Sequence, residues 1–194
     1  MDKKGIQISL ILSLIIVILF IILIVLFFKQ PPKVEKKHLE GGNVILTYVD
    51  DSSKLVLEDV VPKSDEEGIS NIAADQYFDF TVTTDIVDAN ELNYELGVDC
   101  DKESTINCEL IKIYLEEMID GSYVKVSDPV LFKPIDKKTE LGTKSGSMVI
   151  YNGKDKNSTY HNYRLRAWIN PDPSIDTSIT YKIVLNVDVY GKAK

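Results

Sequence analysis

From Ile6 to Phe28 the chain carries no charge over 23 consecutive residues, IQISLILSLIIVILFIILIVLFF. As a helix rising about 1.5 Å per residue, this run spans roughly 35 Å, which covers a bilayer core with some tilt. After Asn43 the pattern changes. Short alternations of apolar and polar residues recur roughly every eight to fifteen positions between turn residues, the spacing of an antiparallel β-sandwich, jelly-roll or immunoglobulin-like. The predicted organisation is a short flank (1–5), a transmembrane signal anchor (6–28), a polar tether (29–42) built from Pro31-Pro32 and the charged run VEKKHLEGG, and a β-sandwich domain (43–194).

The clearest strand is ELNYELGVDC, in which Leu92, Tyr94, Leu96, Val98 and Cys100 share one face, expected in the core, and Glu91, Asn93, Glu95, Gly97 and Asp99 share the other, expected in water. The same period sets Phe78, Phe80 and Val82 on one side, and Tyr163, Leu165, Ala167 and Ile169 on one side. The closing run turns Tyr181, Ile183, Leu185, Val187 and Val189 inward. Further strands are expected at Val44 to Val49, Leu55 to Val61, Leu110 to Leu115, Tyr123 to Val126 and Met148 to Tyr151. Asp50-Asp51-Ser52-Ser53 is expected to turn after the first of these, and Asn152-Gly153 after the last. One short helix is expected in SDEEGISNIAADQY: Ser64 and Glu67 fit a capping box, and Ile69, Ile72 and Ala73 share a face, although Gly68 weakens the propensity.

Charge then narrows the partners. The chain has 30 acidic and 22 basic residues, a net charge of −8. Such a surface repels phosphate backbones, so nucleic acid is not an expected partner. A cleavable secretory signal has a shorter apolar region and a small-residue cleavage site, whereas Phe27-Phe28-Lys29-Gln30-Pro31-Pro32 follows here, so the helix reads as retained. Lys3 and Lys4 precede it, and Lys29, Lys33, Lys36 and Lys37 follow, so a literal positive-inside count keeps the domain in the cytoplasm. Against that, the short basic flank resembles a secretory n-region, and long domains translocate largely regardless of charge. The folded domain is therefore expected outside the cell membrane, on a single-pass anchor.

Candidate chemistry is sparse. Cys100 and Cys108 lie at expected strand ends around the polar loop DKESTIN, where a disulfide would staple a hairpin; the other readings are two free thiols or a metal site lacking two further ligands. Neither His38 nor His161 lies in a nucleophile motif, and GxSxG, HExxH and phosphate-loop patterns do not occur. No cofactor is expected. Acidic pairs at Asp50-Asp51, Asp65-Glu66-Glu67, Asp85 with Asp88, and Asp99 with Asp101 read either as solvated loops or as oxygen ligands for calcium, without the EF-hand order. Trp168 alternates with Arg164 and Arg166 opposite Tyr163, Leu165 and Ala167. That second face is either a stacked patch for a partner or is covered by a neighbouring strand or loop.

Pro62 to Gly68, Tyr77 to Val82, Tyr163 to Trp168 and Asn186 to Gly191 together resemble a group of small, uncharacterised single-pass proteins of Firmicutes. More distantly, the C-terminal half resembles secreted matrix-fibre and camelysin-type proteins. That resemblance implies jelly-roll sandwiches that assemble by donating a strand to the next subunit, although those proteins have cleavable signals. Together these readings lead to a non-enzymatic structural or interaction module at the bacterial cell envelope with a protein or glycan partner. Self-association would exchange Asn43 to Val49 or the closing strand. The alternatives are a glycan- or calcium-binding β-sandwich and an envelope enzyme using paired carboxylates.

Overall fold

The computed structural model describes residues 15–20, 32–48, 53–70, 73 and 76–194, which fall in two units divided after Pro31. In the first unit, residues 15–20 are helical, and all six apolar side chains from Ile15 to Phe20 are about half exposed or more. Among the described residues no helix is long and apolar enough to cross a membrane. The rest of the expected span Ile6 to Phe28 lies outside them.

The second unit is mainly β, with two antiparallel sheets. The strands are β1 (Val34–Leu39), β2 (Gly42–Tyr48), β3 (Lys54–Val60), β4 (Tyr77–Ile86), β5 (Leu92–Cys100), β6 (Ile111–Ile119), β7 (Ser122–Lys125), β8 (Val130–Leu131), β9 (Met148–Asp155), β10 (Thr159–Ile169) and β11 (Tyr181–Ala193), with one short helix, α1 (Asp65–Ser70). The first sheet runs β1-β2-β4-β10-β6-β7, with β8 also on β6; the second runs β3-β11-β5-β9. Successive strands from β2 to β6, and again from β9 to β11, change sheet at each step.

Period-two patterning explains the layers. Phe78, Phe80 and Val82 of β4, Tyr163 and Leu165 of β10, Leu92 to Val98 at alternate positions of β5, and Ile183 to Val189 at alternate positions of β11 belong to one core cluster between the sheets. Burying such side chains contributes about 1.5–3 kcal/mol each before ordering entropy is counted. Tyr48 Oη of the first sheet donates to the Val187 carbonyl of the second at 3.1 Å, adding a polar tie inside that core.

Three expectations need correction. Val34–Leu39, assigned to the polar tether, is β1, and the chain turns through Glu40-Gly41 into β2. Its lysines disguised the strand: Lys37 pairs with Asp188 and lies 3.8 Å over the Tyr190 ring, so a charged residue occupies a packed position. Asn152-Gly153 does not turn, because β9 continues through it to Asp155. Gly153 is there for space; a Cβ would lie 2.1 Å from Cζ of Tyr94. Finally, the second face of β5 is not uniformly wet. Glu95 is buried beneath the 139–143 loop, accepting from Thr139 Oγ1 at 2.5 Å and Thr143 Oγ1 at 2.7 Å.

The helix begins as expected. Ser64 N donates to Glu67 Oε2 at 2.8 Å, and Glu67 N to Ser64 Oγ at 3.3 Å, a reciprocal capping box. Of the expected apolar face, Ile69 is half-buried and Ala73 exposed, while Ile72 lies outside the described residues, as do residues 49–52 around the first expected turn.

Candidate functional site

On β10 the side chains alternate between two environments, and each holds a polar constellation. Outward from the first sheet point Arg164, Arg166 and Trp168, the residues expected to form a partner patch. They do come together, but largely beneath other groups. Trp168 is 1% exposed because Gly68 of α1 sits on its indole, and Lys112 Nζ secures the helix by donating to both oxygens of Asp65 at 2.7 Å. The indole Nε1 has no acceptor among the described residues. Arg166 is 4% exposed and donates from Nε to Glu116 Oε2 at 2.7 Å.

Arg164 is the most accessible of the three. Its guanidinium is held by Asp79 through two bonds of 2.7 and 2.8 Å and lies between the Tyr77 and Tyr123 rings, 3.6 and 3.9 Å from their centroids. The Asp79 hydrogen bonds raise its pKa further above the usual arginine value. A flat cation with both faces on aromatic rings and its fork on a carboxylate is already engaged within the chain. The covered-face alternative therefore describes Trp168 and Arg166, and the exposed aromatic of the same row is Tyr160, further along β10.

Inward from β10, next to Tyr163, His161 lies between two carboxylates: Nδ1 is 2.7 Å from Glu117 Oε1 on β6, and Nε2 is 3.2 Å from Asp155 Oδ1 at the end of β9. Thr84 of β4, fully buried, donates to Asp155 Oδ2 at 2.6 Å. The His161 ring stacks on Tyr163 at 6.0 Å and 22°, and Tyr94 Oη is 2.8 Å from Tyr163 Oη. Burial is the main cause that raises the pKa of Tyr94, Tyr151 and Tyr163. The apolar core thus ends in a polar plug at the β6 and β9 side.

Cys100 and Cys108 form a disulfide. The loop between them is bound to β11 by Thr105 N to Lys182 O at 2.9 Å and by Ser104 Oγ to Val184 O at 3.1 Å. No family model, curated protein or solved structure matches this chain.

Among the described residues no group of three or more His, Cys, Asp or Glu is arranged to hold a metal ion. The acidic residues singled out above mostly serve neighbouring groups of the same chain: Asp85 accepts from Asn43 at 2.8 Å, Asp101 from Lys54 at 2.9 Å, and Asp65 from Lys112. A groove of about 290 Å³, lined from both sheets, includes Glu35, Asp99, Lys144 and Asp188, and Asp188 there already holds Lys37 and accepts from Tyr190 Oη. At His161 both ring nitrogens face carboxylates, so neither is free to act as a base on a substrate. Sequence reasoning passed over this cluster because its hydrogen-bonded members lie up to 71 residues apart. The one available signal was polar residues in inward register: His161 two before Tyr163, and Glu117 two after Leu115.

Proposed function

We propose that the chain is a membrane-anchored extracytoplasmic module at the bacterial cell envelope, whose residues 6–28 hold a β-sandwich outside the bilayer for a protein or glycan partner. The observation that carries this reading is the Cys100–Cys108 disulfide: such a bond persists in oxidising compartments and is rare where thiols are kept reduced. The apolar helix at residues 15–20, with every side chain exposed, supports a lipid environment for that segment. The resemblance to single-pass proteins of Firmicutes supports the envelope. The strand-by-strand alternation between sheets favours a jelly-roll over an immunoglobulin-like arrangement.

Self-association by strand exchange is better assigned to β1 than to the strands expected from sequence. β2 has β1 and β4 on its two sides, and β11 has β3 and β5, so removing either breaks two ladders; β1 is an edge strand with one neighbour. Protease treatment of intact cells, followed by carbonate washing of their membranes, tests the whole reading. The domain should be removed from outside, with an anchor fragment remaining in the washed membranes. A domain protected until lysis, or a chain released by carbonate, contradicts the proposal.

A further inference from the structure

β9 is one of the two edge strands of the second sheet, paired only with β5. Its last residue, Asp155, meets the first sheet through His161 of β10, and the same ring reaches Glu117 of β6, so one imidazole ties three strands in two sheets. A neutral imidazole carries one N–H and one lone pair, and a carboxylate offers only acceptors. With both nitrogens at hydrogen-bond distance from carboxylate oxygens, a neutral ring would satisfy one side and repel the other. The imidazolium donates to both, and these charge-assisted bonds are the stronger kind.

The surroundings agree with a cation. Facing the ring are Glu117 from β6, Asp155 from β9, Tyr94 from β5 and Tyr163 from β10 itself; Tyr151 of β9 packs on the Tyr163 ring, and Thr84 of β4 fixes the second Asp155 oxygen. Aromatic faces attract a cation. Because burial raises the pKa of the three tyrosines, no phenolate forms beside the ring as it loses its proton.

We propose that His161 is a resident imidazolium clamping the β9 edge of the second sheet onto the first, and that its deprotonation releases β9. The sign follows from the charged form being the bonded one: the clamp holds while the ring is protonated and is lost as pH rises.

The test uses the full chain in detergent micelles with ¹⁵N-labelled histidine. The chain has two histidines, so H38Q leaves His161 as the single labelled ring. At pH 7 both of its nitrogens should carry protons. Hydrogen exchange of β9 amides, corrected for the intrinsic pH dependence, should show opening about 10- to 100-fold more frequent once the ring signals report deprotonation, the factor expected for a lost charged hydrogen bond. In H161Q the β9 amides should open readily at every pH. A singly protonated His161 ring at pH 7 overturns the proposal, as does equal β9 protection before and after deprotonation. The first two readouts need no variant at His161, so they stand even if H161Q fails to fold.

Discussion

Gly68→Ala tests how α1 is seated. An alanine Cβ at this position would lie 2.3, 2.5 and 2.6 Å from three indole carbons of Trp168, whereas ordinary contact begins near 3.4 Å, so the helix must lift by about 1.1 Å. The indole cannot yield instead, since it belongs to a central strand of the first sheet and is 1% exposed. Lifting the helix strains the Lys112–Asp65 pair and lets water reach the ring. Overpacking of this kind costs about 1–3 kcal/mol, and replacing a helical glycine by alanine returns about 1 kcal/mol. The difference leaves up to about 2 kcal/mol of destabilisation, or a Tm lower by up to about 8 °C for a domain of this size. The chain has one tryptophan, so its fluorescence reports directly on the contact. The variant should melt earlier, with red-shifted emission and stronger acrylamide quenching. A Tm that is unchanged or raised, with emission like the wild type, would refute the idea that α1 covers Trp168 through Gly68.

Replacing both cysteines with serine removes a cross-link between residues eight apart, worth about 2–3 kcal/mol on chain-entropy arithmetic, and thermal melts with and without reductant should show the loss only in the wild type. Arg166→Met leaves Glu116 buried without its cation and should cost about 3–5 kcal/mol in denaturant unfolding, while adding Glu116→Met should restore most of it. The Asp101 carboxyl is held well below the usual carboxylate range, first by the Lys54 ammonium and then by the Glu103 N–H and the Asn186 amide. Its contribution is therefore present above that range and lost as pH falls through it, so Asp101→Asn should flatten the acid limb of a Tm-against-pH curve.

Much of the architecture was legible because alternation is a local signal. Phe78, Phe80 and Val82, or Tyr163 and Leu165, declare a buried face by period two alone, and each lies in the core. The capping box at Ser64 and Glu67 is likewise local, and both of its bonds form. What was hidden depends on partners distant in sequence. Lys37 reads as tether until Asp188 and Tyr190 are opposite it, and Gly153 reads as a turn until the Tyr94 ring needs its space. Gly68 counted against the helix, yet its missing side chain is what lets the helix rest on Trp168.

The candidate sites follow the same division. Cys100 and Cys108, close in the chain, could be paired by inspection, with free thiols and metal left open. The Arg164, Arg166 and Trp168 row was correctly set on one face, but its exposure depended on a covering helix that alternation cannot reveal. The His161 cluster needed the register of β6 against β10 and the inter-sheet crossing at Asp155, neither of which local pattern encodes.

The most direct test of the membrane-anchored, extracytoplasmic assignment is a single gel. Cells producing the full chain are quenched in acid, their membranes are washed with carbonate, and the pellet is treated with a maleimide of high mass with and without prior reduction. The account predicts full-length chain in the pellet that gains no mass unless reduced, and then gains two labels for Cys100 and Cys108. Chain recovered in the wash, or a pelleted chain whose thiols both react without reductant, would contradict it.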